Sequence, residues 1–178
     1  ADRLAFRLGR VCTQQLRTSC KAAADPVEKV PISRLPDLLG APRFVYGFKL
    51  GNWSGAGVVA IDAVLGGSFV DRLFGGELDN ARILEGTPSN TERRAVSRVT
   101  AKILEMLQSV MARICPAEAK LEPGPPAMLK PPIKAVAAVL MAFHVTFGDN
   151  RCGVVIAFDT AAAGFKVTVE ADAPSYSI

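Results

Sequence analysis

Residues 57–63, GVVAIDA, and residues 153–160, GVVIAFDT, are two similar stretches that decide the fold. They align over most of their length with one inserted residue in the second stretch. Each has an apolar run that predicts a strand, an Asp placed to cap a helix, and small residues that lead to a phenylalanine, Phe69 or Phe165. Each stretch therefore predicts the same unit, a strand followed by a short helix.

The residues before the first stretch predict its hairpin partner and two further helices. Alternating apolar residues over 44–50 predict the strand that pairs with residues 58–61. Residues 3–22 have apolar side chains at helical spacing and predict an amphipathic helix. Ser33 is expected to cap a short helix that ends at Leu39.

The first stretch also continues into a helix. Asp62 is expected to cap a helix over residues 63–74, because Asp is a preferred residue at that position. After it, residues 75–88 are polar and rich in glycine, which predicts a surface loop between two halves of the chain.

A row of arginines lies beside the apolar face of the first predicted helix. Arg3, Arg7, Arg10 and Arg17 follow the helical period one position out of phase with the apolar residues. Such a stripe is typical of a solvated helix face, and it also fits docking onto an acidic partner or a neighbouring subunit. The sequence leaves both interpretations open.

The second half of the chain begins with its strongest helical pattern. Apolar residues recur on one face from Val96 to Ile114, and Ser89 and Glu92 have the spacing of a capping box. Cys115 and Pro116 end this helix.

A proline-rich connection and a second hairpin follow. Five prolines between Pro123 and Pro132 exclude a helix or a central strand and predict an extended connection. Residues 133–147 then predict a long strand, and Gly148, Asp149 and Asn150 a tight turn. Residues 151–158 are expected to return as its partner.

The order of helix, hairpin and helix occurs over residues 3–74 and again over residues 90–165, which indicates a duplicated unit. Two such units that share one sheet, with strands buried on both faces, predict an α/β protein: a three-layer α/β/α sandwich with a pseudo-twofold internal repeat. We expect one domain over residues 1–170, with half one at 3–74, a linker loop at 75–88, half two at 89–165, and a C-terminal strand or tail at 166–178.

Composition excludes several classes of protein. The chain has 178 residues, 49% of them hydrophobic, which suits one well-filled core. Its net charge is +4, but the basic excess belongs to residues 1–51, and aromatic side chains such as Trp53 lie in apolar runs rather than beside basic clusters. Nucleic-acid binding is therefore not expected. The longest apolar run, residues 135–143, is too short to span a bilayer, so we expect a soluble domain.

No metal, cofactor or catalytic site is indicated. Cys12, Cys20, Cys115 and Cys152 form no CxxC pair, and His144 is the only histidine. His144 lies in an apolar strand without a recognisable acid-base partner, so a structural role is favoured over a general base. The glycine pairs fit no nucleotide-binding loop. A small-molecule-binding domain of similar shape is a third class, but no polar cluster in an apolar pocket points to it.

Two segments resemble the central part of the flagellar motor switch protein family FliM. Residues 70–77, VDRLFGGE, and residues 87–94, TPSNTERR, match the family's Phe-Phe-Gly-Gly-x-Gly end of a helix and its Thr-Pro-x-x-Glu start of the next one. The likeness extends more weakly over residues 4–165. It implies a pseudo-symmetric CheC-like sandwich, related to CheC, CheX and FliY phosphatases.

In the family, the Gly-Gly-x-Gly loop contacts FliG. The resemblance therefore places a FliG-binding loop at Phe74, Gly75, Gly76, Glu77 and Leu78, where Leu78 replaces the last glycine. The alternative interpretation is a plain helix stop at Gly75. If the loop is exposed and docks FliG, Gly76→Asp or Leu78→Asp is expected to weaken binding with little effect on the melting temperature.

The related phosphatases use a Glu with an Asn three residues later on a helix. Here Glu92 is followed at that spacing by Ala95, so the resemblance implies a protein that is not an enzyme, with a CheC-like phosphatase of phosphorylated CheY as the alternative.

The resemblance also implies a place and a set of partners. It implies a rotor component that binds FliG, packs against neighbouring copies of itself and relays the phospho-CheY signal that reverses rotation. Its place would be cytoplasmic, peripheral to the inner membrane at the flagellar basal body. The family's CheY-capturing segment and FliN-pairing domain are not recognisable, so we expect this chain to be the middle fragment of a longer protein.

Overall fold

A computed structural model describes residues 1–39, 44–50, 56–78, 87–111, 121–126 and 137–159 of the chain. In chain order its elements are α1 (Asp2–Leu16), β1 (Lys21–Ala24), β2 (Glu28–Pro31), a 3₁₀ turn (Ile32–Arg34), α2 (Leu35–Leu38), β3 (Phe44–Leu50), β4 (Ala56–Ile61), α3 (Ala63–Leu73), α4 (Asn90–Met111), β5 (Leu121–Pro126), β6 (Ala137–Phe147) and β7 (Asn150–Asp159). The helix predicted after Asp159 and the tail predicted at 166–178 lie outside the described residues.

Seven antiparallel strands form one sheet. Its order is β1-β6-β7-β4-β3-β5, and β2 pairs with β6 alongside β1. The hairpins β3–β4 and β6–β7 were both predicted, and they meet where β4 pairs with β7. Counted inward from either edge of the sheet, the strands follow the same order: an edge strand, the outer strand of a hairpin, and the inner strand of that hairpin. The predicted α/β fold, with helices packed on one shared sheet, is confirmed.

The pairing of β4 with β7 improves the alignment of the two repeats. Val59 lies directly opposite Ile156 in the sheet. The number of sequence positions between these two residues equals the number between Asp62 and Asp159. With Asp62 matched to Asp159, the strands align residue for residue, and Gly57 falls on Val154. The inserted residue that the sequence comparison required is therefore unnecessary.

Both faces of the central strands are buried, although the two covering layers are unequal. The larger core lies between the sheet and helices α1, α3 and α4, and it includes Phe44, Phe48, Phe143, Ile61 and Ile156. Full burial of each such side chain stabilises the fold by about 1.5–3 kcal/mol. The smaller core lies on the opposite face, where Leu35 of α2 packs among residues of β2, β4, β6 and β7.

Helix α1 is shorter than the predicted 3–22. It ends at Leu16 because Arg17 takes a left-handed conformation with φ 53° and ψ 34°. The backbone N–H of Cys20 donates to Oγ1 of Thr13 at 3.0 Å, which holds the reversed chain against the helix. Residues 21–24 then form β1 and pair with the outer side of β6.

The predicted cap at Ser33 is wrong. Ser33 lies inside the 3₁₀ turn, which follows Pro31 and has no side-chain cap. Helix α2 begins afterwards at Leu35, with Pro36 in its first turn, where the missing N–H is tolerated.

The extended connection predicted over 123–132 is confirmed for those of its residues that the structure describes. These residues also belong to the sheet. Residues 121–126 form edge strand β5, which pairs with β3 and shifts register between Tyr46 and Phe48. An edge position and an irregular register accommodate prolines, which cannot donate to a ladder.

Candidate docking site

The start of α3 is fixed by Asp62. Its Oδ1 accepts the N–H of Leu65 at 2.7 Å, as the predicted N-cap requires. Its Oδ2 accepts the N–H of Gly153 in β7, and its own N–H donates to the Gly153 carbonyl at 3.1 Å. Burial raises the pKa of the Asp62 carboxyl, while the N–H groups of Leu65 and Gly153 act to lower it. The same residue therefore caps a helix and joins the two halves of the sheet.

The position of α3 on the sheet depends on a missing side chain. A Cβ at Gly66 would lie 2.2 Å from the ring of Phe44 in β3. The helix therefore lies close enough to the strand that only glycine fits between them. Residues Leu73 and Phe74 reach the surface at the far end of this helix.

The end of α3 is a Schellman motif. The N–H of Gly76 donates to the carbonyl of Asp71 at 2.7 Å, and the N–H of Gly75 donates to the carbonyl of Arg72 at 3.3 Å. Gly75 has φ +85°, a conformation that favours glycine. The two glycines therefore stop the helix, as the alternative interpretation held. This role is compatible with docking, since it presents Phe74 on the outside of the turn.

The exposure of the predicted loop is uneven. Phe74 is 65% exposed, and Gly75 and Glu77 are exposed as well. Gly76 is half-buried, and a Cβ there would lie 3.0 Å from the Asp71 carbonyl oxygen. Leu78 packs against the main core. Gly76→Asp and Leu78→Asp were expected to leave the melting temperature nearly unchanged because the sequence predicts an exposed loop. With these contacts, we expect both substitutions to lower the melting temperature.

The start of α4 is the predicted capping box. The N–H of Ser89 donates to Oε2 of Glu92 at 2.6 Å, and the N–H of Glu92 donates to Oγ of Ser89 at 3.3 Å. Ala95, at the position where the related phosphatases carry an amide, is buried in the core. The Glu92 carboxylate thus stabilises the helix terminus.

The predicted arginine stripe does not form one free surface. Arg3 and Arg10 are exposed on α1, but Arg7 donates from Nη1 to Oγ of Ser109 in α4 at 2.6 Å. Phe6 of the same helix is 66% exposed. Whether this face binds another copy of the chain stays a prediction.

A groove that the sequence did not reveal lies between the C-terminal ends of α1 and α3 and the N-terminal half of α4. Its volume is about 300 Å³, and Arg17 of the predicted stripe and Leu73 both line it. The groove therefore contains one residue of the predicted stripe and the residue that directly precedes the predicted loop. Its residues are far apart in the sequence, so no spacing pattern could have indicated the groove.

His144 has a partner that the sequence analysis missed. Its Nε2 lies 3.1 Å from Oδ2 of Asp25, in the gap between β1 and β2, and both side chains are partly exposed. The partner was not recognised because residues 21–31 were not assigned to the sheet edge. An exposed pair of this kind contributes little to stability, and the structural role expected for His144 stays a prediction.

The thiols of Cys12 and Cys152 are buried in the core. Burial raises the pKa of Cys12 to about 12 and that of Cys152 to about 12, so both stay protonated near neutral pH. Within the described ranges, no group of three or more His, Cys, Asp or Glu side chains is arranged to hold a metal ion. No helix in the same ranges is long and apolar enough to cross a membrane.

Solved structures with the same fold include FliM middle domains. A FliM of H. pylori crystallised with FliG has a TM-score of 0.80 at 16% identity, and the match covers 90% of this chain and 89% of that one. The FliM middle domain of V. alginolyticus has a TM-score of 0.70 at 16% identity, over 89% of each chain. FliY of Thermotoga maritima has a TM-score of 0.68 at 10% identity, over 90% and 86%. At these identities the likeness is one of fold.

Comparison of the sequence with family models identifies the family of the chain. Among curated proteins no sequence matches the chain significantly. The family model described as flagellar motor switch protein FliM, however, matches residues 1–158, which include every residue that the structure describes except Asp159. The chain therefore belongs to the FliM family of flagellar motor switch proteins.

Proposed function

We propose that the chain is a non-catalytic component of the flagellar motor switch that docks FliG through the end of α3. The observation that carries the proposal is the Schellman turn, which holds Phe74 at 65% exposure beside a 51% exposed Leu73. An exposed aromatic side chain on a rigid turn is a typical binding anchor, since little conformational entropy is lost on docking.

Membership of the FliM family and the fold shared with a FliM that was crystallised with FliG support this partner. The wider role is part of the same proposal. The domain packs against neighbouring copies in a cytoplasmic ring at the flagellar basal body, peripheral to the inner membrane. It relays there the phospho-CheY signal that changes the direction of rotation, with phospho-CheY and FliN bound by other parts of a full-length protein.

The docking proposal predicts a selective loss of FliG affinity in Phe74→Ala. Truncating a central aromatic anchor typically costs about 2 kcal/mol or more, which corresponds to at least a roughly thirtyfold rise in Kd. Phe6→Ala is the matched control, because Phe6 is 66% exposed on α1, away from the turn. Isothermal titration of each variant with FliG of the same organism gives the comparison. Equal affinities of Phe74→Ala and Phe6→Ala would remove the turn from the interface.

The capping role of Glu92 supports a non-catalytic chain over a phosphatase. We expect phosphate release from phosphorylated CheY to be the same with and without the chain. Glu92→Ala is expected to lower the stability of the domain by about 0.3–1 kcal/mol, because it removes the bond to the Ser89 N–H and a negative charge at the helix N-terminus. An acceleration of phosphate release that Glu92→Ala abolishes, while Ser89→Ala leaves it intact, would establish the phosphatase instead.

A further inference from the structure

The groove between α1, α3 and α4 combines an apolar floor with guanidinium groups. Phe69 and Leu73 of α3 and Val99 of α4 contribute apolar surface, and Arg72 and Arg98 come from the same two helices. With a volume of about 300 Å³, it is at the small end of ligand pockets and fits a few side chains of a partner better than a whole cofactor.

The charge of the groove is one-sided. Arg17, Arg72 and Arg98 all line it, and among the residues that the structure describes no Asp or Glu does. Asp71, the acidic neighbour of Arg72 on α3, lies outside the lining. Three guanidinium groups around a partly apolar groove favour an anionic group that brings apolar surface with it.

Arg72 gives a second and independent indication. Its Nε is buried without a hydrogen-bond partner, the one side-chain nitrogen or oxygen atom in this state among the residues that the structure describes. Its Nη1 reaches the Gly76 carbonyl only at 3.5 Å. A buried charged donor left unpaired destabilises a protein, whereas a carboxylate that reaches it forms a strong, charge-assisted bond.

We propose that this arginine groove receives a carboxylate side chain of FliG together with an adjacent apolar side chain. The inference rests on the proposed function, and it adds a second contact to the Phe74 turn. The occupant is assigned to the docking partner because Leu73 both lines the groove and adjoins Phe74, so one protein surface laid on the turn also covers the groove. The carboxylate pairs with Arg72 and Arg98, and the apolar side chain lies on Phe69 and Val99.

The test is a titration of FliG from the same organism against Arg98→Glu, with Arg94→Glu as the matched control. Both arginines are exposed on α4, but only Arg98 lines the groove. We expect Arg98→Glu to weaken binding by roughly tenfold or more at about 0.05 M salt and by less at about 0.5 M. Arg94→Glu is expected to stay within about twofold of the wild type. Arg72→Lys, which keeps the charge but removes Nε, is expected to weaken binding as well.

The partner side is tested by charge reversal on FliG. Replacing its surface carboxylates one at a time by lysine is expected to yield a single variant that recovers affinity for Arg98→Glu, because the ion pair is then restored with opposite polarity. Equal effects of Arg98→Glu and Arg94→Glu, or the absence of any rescuing variant, would overturn the groove contact.

The two proposals fail in different ways. If Arg98→Glu binds normally while Phe74→Ala does not, the groove is refuted and the docking turn stands. If the wild-type chain fails to bind FliG, the proposed function fails first.

Discussion

At the scale of single residues, Asp62 connects the most structure. Its two carboxylate oxygens accept N–H groups from α3 and from β7, which belong to different repeats. The sequence was sufficient to predict the cap, because Asp before a small-residue helix has a local signature. The bond to Gly153 could not be predicted, since it depends on how β4 and β7 align across the sheet.

We predict that Asp62→Ala lowers the free energy of unfolding by about 2–4 kcal/mol, the combined loss of a helix cap and of a hydrogen bond to a charged, partly buried acceptor. Asp37→Ala, at an exposed position on α2, is the control and is expected to change it by less than about 1 kcal/mol. Urea denaturation measures both. A similar small effect for the two variants would show that the link between the repeats contributes little.

At the scale of elements, the strongly patterned segments were predicted well and the sheet edge was not. Helix α4 has a long apolar face and a capping box, and the two hairpins have apolar strands on either side of turn residues. Strands β1 and β2, KAAA and EKVP, are short and carry charges and a proline, so they have no apolar alternation. These strands form because the outer edge of β6 would otherwise be unpaired. They therefore depend on tertiary pairing and not on local sequence pattern.

The close packing of α3 on β3 predicts that Gly66→Ala changes the stability in the direction opposite to the usual one. In a helix interior, Gly→Ala normally stabilises by about 1 kcal/mol. Gly66→Ala is instead expected to destabilise by about 1–3 kcal/mol, because its Cβ overlaps the Phe44 ring. The penalty is expected to shrink in a Phe44→Leu background, and a thermodynamic cycle from thermal unfolding measures this. A stabilised Gly66→Ala protein would mean that α3 lies farther from the sheet.

At the scale of the whole molecule, two similar hairpins meet along β4 and β7 and carry three helices on one face. This arrangement places the end of α3 beside the end of α1 and the N-terminal half of α4, so that Leu73, the neighbour of Phe74 in the chain, lines the arginine groove. The candidate loop was predictable from local sequence and family resemblance. The groove was not, because it requires the tertiary packing of three separate helices.

The central claim, that FliG docks on this surface, is tested most directly by hydrogen–deuterium exchange of the chain with and without FliG. We predict that FliG slows exchange of the amides in residues 72–78, which form the turn, and leaves the β1–β2 edge of the sheet unchanged. The Phe74→Ala variant, measured under the same conditions, is expected to lose this protection. Protection confined to the β1–β2 edge or to the exposed face of α1, with residues 72–78 exchanging as in the free chain, would contradict the account.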